Sequence, residues 1–143
     1  MLKGIPPILS PELLKTMSEM GHGDELVIAD GHFPAASTAR RLIRADGLGA
    51  IELLDAILQF YPLDRYVERP VTLMQVVTGD PVTPSIWDEY RDTVHRHESG
   101  ISFEYVERFA FYERAKQAFA VVATGETAQY ANLILKKGLV TFR

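Results

Sequence analysis

The sequence predicts an α/β fold: a three-layer α/β/α domain built on a mostly parallel or mixed central sheet. Three observations predict it. Short apolar runs suited to buried strands alternate with segments of helical periodicity, each run ends at a Gly, Pro or polar cluster, and 143 residues with 47% hydrophobic side chains suffice for a core without disulfides. The whole chain, 1–143, is expected to form one domain.

Ser10-Pro11-Glu12-Leu13-Leu14 is a helix start: Ser caps free backbone donors, Pro is pre-set for the first helical position, and an acid suits the positive helix end. The helix is expected to run to about Met20, where Gly21 and Gly23 stop it. Glu25 to Ala29 (ELVIA) reads as a buried strand that places Asp30 at its C-terminal end. Asp30-Gly31-His32-Phe33-Pro34 is then a polar loop, followed by a short strand within Ala39 to Ala45. Asp46 to Gln59 carries Leu48, Ile51, Leu54, Ile57 and Leu58 at helical spacing. Val71 to Val77 is a strand, Pro84 to His97 a helix with Trp87 and Val94 on one face, and Phe103 to Val106 a weaker strand. Phe109 to Phe119 is helical, and Ala120 to Thr124 and Asn132 to Lys136 complete the sheet. The proline-bounded stretch Pro62 to Pro70 is too short to divide domains.

Composition removes several classes of function. The net charge is −4 and the 15 Lys and Arg residues are scattered, so no basic stripe for nucleic acid is present. With no cysteine, disulfide frameworks, thiolate nucleophiles and Cys-based zinc sites drop out, and a cytoplasmic setting fits. Two prolines interrupt the N-terminus where a signal peptide would be apolar, and no run approaches the roughly 20 apolar residues of a membrane span. No GxGxxG, GxxxxGK[ST] or GxSxG motif occurs.

Three constellations carry possible chemistry. His22 lies between two glycines, free of packing, and the short strand after it is expected to return Asp30, with His32, to the same sheet edge. An ordinary histidine, with a pKa of about 6.5, exchanges protons near neutrality, although a lone loop histidine is more often simply solvated. His22, Asp24, Asp30 and His32 are all possible metal ligands, but their spacing matches no metal signature and no metal is expected. His95 and His97 are expected on a helix surface. In the second constellation Arg108, Tyr112 and Ala115 share a helix face, with Glu113 and Arg114 as a charged exterior. An Arg at a helix start is poorly placed for the dipole, which suggests a second role for Arg108. In the third, the loop from Gly125 ends in Tyr130 and Asn132, whose hydroxyl and amide suit a polyhydroxylated ligand.

At these same places the chain resembles the fucose mutarotase and ribose pyranase family, its fucose branch most. The matching segments are ILSPELLKTMSEMGHGDELVIADGHFP, IRADGL, RFAFYERAKQAFAVVATGE and YANLILKKG, in collinear order. The resemblance implies a proton-donating His22 and sugar contacts from Asp30, Arg108, Tyr130 and Asn132; His32 and Tyr112, from the constellations above, are additional candidates. It also implies a cofactor-independent isomerase acting on a free monosaccharide, L-fucose before ribose, and a homodecamer of two pentameric rings with shared sites. Pyranose–furanose conversion and sugar binding without catalysis are the alternatives. For the base, Asp30, His32 and a water all stand open. The chain departs from the family at Ala131, where Gly is usual and a positive φ would be strained, and over Trp87 to Tyr105, which does not align.

Overall fold

A computed structural model describes residues 1–142. They form helices α1 (Pro11–Glu19), α2 (Ala35–Thr38), α3 (Ala50–Leu58), α4 (Ile86–His97) and α5 (Arg108–Gln117), and strands β1 (Glu25–Ala29), β2 (Leu42–Ala45), β3 (Val71–Met74), β4 (Phe103–Val106), β5 (Ala120–Thr124) and β6 (Leu133–Lys136). Among the described residues no helix is long and apolar enough to cross a membrane.

The sheet has the order β2-β5-β1-β6-β3-β4. Neighbours pair in parallel except on both sides of β6, which runs against β1 and β3. All other strands therefore point the same way, and the residues after β1, β3, β4 and β5 meet those before β6 at one edge. From β1 the chain crosses to β2 on one side, and from β3 to β4 on the other, so the winding reverses between β1 and β3. Crevices at such reversals, beyond the strand C-termini, are where α/β sheets bind ligands.

Alternation along the strands builds the two interiors. Leu26, Ile28, Val122, Leu133 and Leu135 face the layer of α1, α3 and α4, where Leu13, Leu53, Leu54, Ile57, Tyr90 and Val94 fill the larger core. Val27, Ala29, Val121, Ala123 and Ile134 face α2 and α5 through Phe33, Phe111 and Ala115. This is the expected three-layer arrangement.

Most elements stand where the periodicity puts them, and the differences have local causes. α1 is capped by Ser10, whose Oγ accepts the Leu13 N–H at 3.1 Å. α3 begins at Ala50 rather than Asp46: Arg44 holds Asp46 in a turn at 2.7 Å, and Glu52 and Glu126 take the N–H groups of Gly49 and Ala50. β3 stops at Met74, since after Gln75 the chain leaves the sheet for a loop through Asp80. α5 starts one residue early, at Arg108, because the Glu107 carboxylate receives the N–H groups of Phe109 and Ala110. The four-residue α2 was not foreseen. Arg114 is no charged exterior; it turns inward to pair with Glu25 at 2.6 Å and Glu104 at 3.0 Å. His95 is exposed and His97 half-buried on the helix surface, as expected, and each also has a partner, His95 the Ile101 carbonyl at 3.0 Å and His97 the Asp55 carboxylate at 2.7 Å.

Candidate active site

The cleft at the winding reversal has a volume of about 390 Å³ and gathers Asp30, His32, Arg108, Tyr112, Tyr130 and Asn132. Six of the seven residues singled out from sequence thus line one wall system, brought from the end of β1, the start of α5 and the turn before β6.

Each is positioned by a specific contact. Asp30 is only 7% exposed. Its backbone N–H donates to Asn132 Oδ1 at 2.7 Å, and its Oδ1 accepts the His32 N–H at 3.0 Å. Spending the Asn132 oxygen on Asp30 leaves the amide NH₂ as the donor for a ligand. Arg108 donates through Nε to the Tyr112 hydroxyl at 3.2 Å and lies over the rings of Phe109 and Tyr112. Its hydrogen bond to Tyr112 raises its pKa further, so it presents a permanent cation at the cleft mouth. Phe33 packs edge-on against Tyr112 and supplies an apolar floor.

Tyr130 has φ 55°, the one positive value outside glycine among the described residues. The strain expected at Ala131 lies one residue earlier: Ala131 has no positive φ and is fully buried, with its carbonyl accepting the Tyr90 hydroxyl at 2.6 Å. Trp87 Nε1 donates to the Tyr130 carbonyl at 2.8 Å. The segment Trp87 to Tyr105, in which no family motif is read, is therefore the support under this turn.

Sequence reasoning missed two acids. Asp80 lines the cleft and accepts the Tyr130 hydroxyl proton at 2.6 Å. Its signal was the Gly79-Asp80-Pro81 turn following a strand end at the binding edge. That hydrogen bond raises the Tyr130 pKa, so the phenol is neutral. The second acid is Asp64, which lies within the proline-bounded stretch read as a mere connection.

His22 is the exception, and the expected return of Asp30 to its edge is wrong. One strand joins opposite edges of a sheet: the five residues of β1 put about 16 Å between the Gly21–Asp24 turn and Asp30 at ~3.3 Å each. For the same reason His22 and Asp24 do not converge with Asp30 and His32 into a metal-binding set. His22 Nε2 meets the buried Asp64 carboxylate at 3.0 Å, and its ring packs on Tyr66, 5.3 Å between centroids. Burial pushes the Asp64 pKa up, but the Tyr66 N–H and His22 outweigh it and hold the acid ionised. With Nε2 engaged by the carboxylate, Nδ1 is the ring nitrogen left for another partner. Tyr66 is 77% exposed, and Val67, Leu139 and Val140 are exposed as well. Gly23 N–H donates to the Lys137 carbonyl, so the tail carrying Leu139 and Val140 leaves from beside His22. An imidazole backed by a buried carboxylate and framed by exposed apolar groups has the character of a contact surface.

Comparison with known proteins gives consistent results. Residues 3–140 match the RbsD / FucU transport protein family. The chain is 54% identical over 140 residues to an L-fucose mutarotase of Actinobacillus pleuropneumoniae serotype 5b, covering 97% of both. It is 52% identical over 145 residues to the human fucose mutarotase, covering 97% of this chain and 94% of the relative. The crystal structure of the fucose mutarotase from Streptococcus pneumoniae, in complex with L-fucose, superposes with a TM-score of 0.93 at 53% identity, covering 98% of this chain and 100% of that one.

Proposed function

This chain belongs to the RbsD / FucU transport protein family, and from that premise we propose that it is a cofactor-independent isomerase interconverting the α and β anomers of L-fucose. One observation carries the reading: the near-full-length similarity to fucose mutarotases, one of them holding L-fucose, in a chain whose cleft is lined by the donors and acceptors a free sugar requires. The activity also suits the site. Mutarotation opens a cyclic hemiacetal and closes it on the other carbonyl face, which takes one group to protonate the ring oxygen and one to accept the anomeric hydroxyl proton.

In this reading the Asp30 carboxyl group, the Asn132 amide and the Arg108 guanidinium fix sugar hydroxyls, and His32 and Tyr112 border them. His22 is the acid that protonates the ring oxygen. Because His22 stands at the far end of β1 from its own cleft, it serves the cleft of a neighbouring subunit. The exposed Tyr66, Leu139 and Val140 around it support such a contact, and head-to-tail contacts between unlike patches close into rings. The assembly proposed is a decamer of two pentameric rings in the cytoplasm.

Saturation-transfer NMR on L-fucose tests the proposal. Protein at catalytic concentration should raise magnetisation exchange between the α and β anomers. Binding of L-fucose with no increase in exchange would make the chain a sugar-binding protein instead. With D-ribose as substrate, faster pyranose–furanose exchange than fucose anomer exchange would make it a pyranase.

A further inference from the structure

We infer that residues 76–83, between β3 and α4, form a strap along one side of the cleft, latched by the Tyr130 hydroxyl and drawn tighter by a bound monosaccharide. This rests on the reading of the cleft as a sugar site and concerns only how the sugar is enclosed.

The strap is held at its ends and at one point between them. At its start the Gln75 N–H donates to the Val106 carbonyl at 2.7 Å, and beyond its end the Pro84 and Ser85 carbonyls accept the N–H groups of Trp87 and Asp88 in the first turn of α4 at 3.2 Å each. No residue from 76 to 83 is buried. Among the described residues, the hydrogen bonds that tie this stretch to the rest of the domain all meet at Tyr130 Oη, which accepts the Val77 N–H at 3.3 Å and donates to Asp80 Oδ2 at 2.6 Å. The strap's internal bonds depend on the same fastening. The Asp80 N–H donates to the Val77 carbonyl at 3.0 Å and the Val82 N–H to Asp80 Oδ1 at 3.2 Å, so the turn is closed by the very residues that Tyr130 grips. A segment with exposed backbone hydrogen bonds and no buried side chain opens at far lower cost than the whole domain unfolds.

One side of the latch is rigid and the other can move. Tyr130 is fixed at φ 55° by Trp87 on its carbonyl and by Tyr90 on the next, both from α4. The strap turns at Gly79, whose φ of 90° is open to glycine and costly for other residues, with nothing within 4 Å of where a side chain would stand. Opening therefore swings Val77 and Asp80 away from an unmoved Tyr130.

A sugar closes the strap by adding a tie of the same kind. Val77 and Asp80 line the cleft from the strap, whereas Asp30, Arg108 and Asn132 line it from the body of the domain. A carboxylate has about four acceptor positions, and Asp80 uses its two oxygens for Tyr130 and Val82 with lone pairs to spare. It can accept a sugar hydroxyl while the phenol stays bound. A monosaccharide held by the body and by Asp80 then bridges the two, giving the strap a second fastening, and loops ordered by their ligand in this way sequester small substrates.

Hydrogen exchange read by mass spectrometry on peptides covering 76–83 tests this in the intact chain, with Y130F and D80A beside the parent and with L-fucose absent or saturating. Y130F removes both latch bonds at once. Without sugar its strap amides should exchange about tenfold faster than the parent's, the loss expected for a hydrogen bond to a charged group, while peptides from β1 and α3 are unchanged. D80A keeps the phenol, should free the strap in the same way, and decides the matter if Y130F does not fold. Saturating L-fucose should slow strap exchange in the parent several-fold. Strap exchange in the variants equal to the parent's would overturn the latch, and parent strap exchange unmoved by L-fucose that NMR shows to be bound would overturn the closure. A parent that binds no L-fucose would instead refute the sugar-site reading, while the sugar-free comparison still decides the latch, so the two failures are distinguishable.

Discussion

At the scale of single residues, the proposed acid is paired with a carboxylate, His22 with Asp64 at 3.0 Å. A buried carboxylate behind an imidazole fixes which nitrogen is left for another partner and stabilises the cation that must form before a proton is delivered. Replacing His22 with Asn keeps hydrogen bonding but removes proton exchange near neutrality. Anomer exchange at saturating L-fucose should fall by about 10²- to 10⁴-fold while sugar still binds. Asp64→Asn should give a rate between the parent and the His22→Asn protein, since the imidazole survives without its partner. Line-shape or saturation-transfer NMR on the variants reads both numbers, and a parent-like rate for His22→Asn would remove His22 from the chemistry.

Elements act on the site from behind. α4 reaches the turn before β6 through Tyr90, whose buried hydroxyl donates to the Ala131 carbonyl, and burial keeps that hydroxyl protonated. Tyr90→Phe leaves the carbonyl unsatisfied in the core, which costs about 1–3 kcal/mol. Denaturant unfolding should show that loss, and L-fucose affinity should weaken because Tyr130 and Asn132 flank the freed carbonyl. At the other end of α5, Arg114 bridges Glu25 and Glu104. Burial pushes Glu104 up, but the Arg114 guanidinium and the Thr72 hydroxyl outweigh it and hold its pKa below the ordinary carboxylate range. A depressed folded-state pKa gives stability that is present above the unfolded value, about 4.3, and is lost as pH falls through the lower folded value. Glu104→Gln should therefore be less stable than the parent at neutral pH and show a flatter decline on acidification below about pH 4. Parallel acid-unfolding curves for the two proteins would show that the Glu104 carboxylate contributes no such stability.

For the whole molecule, the separation of His22 from Asp30 makes a specific demand on assembly. If each cleft borrows the imidazole of its neighbour, His22→Asn and Asp30→Asn proteins are each inactive, yet mixed rings contain clefts with an intact Asp30 facing an intact His22. Unfolding the two together and refolding should restore a fraction of the parent exchange rate, and light scattering should report a multiple of the chain mass. A monomer by scattering, or no recovery on mixing, would defeat the shared site.

The sequence by itself determined the fold class, all the elements but the short α2, and most of the residues of the cleft. β1, β4 and β5 lie at the residues their apolar runs indicate, because burial on a sheet and the stop signals at its ends are written locally. Asp30, Arg108, Tyr130 and Asn132 were legible as an uncommitted set of polar groups at element ends, sharpened by the family resemblance. What only the tertiary structure decided is which groups face each other. The pairing of β6 between β1 and β3 brings Tyr130 and Asn132 to Asp30, and the loop after β3 carries Asp80 onto Tyr130 across 50 residues of sequence. The fold of Pro62–Leu63 onto Gly138 and Lys137 sets Asp64 behind His22. Periodicity reports one face of one element, whereas contacts between distant segments depend on strand order and direction, so the distance between His22 and Asp30 followed from the direction of a single strand.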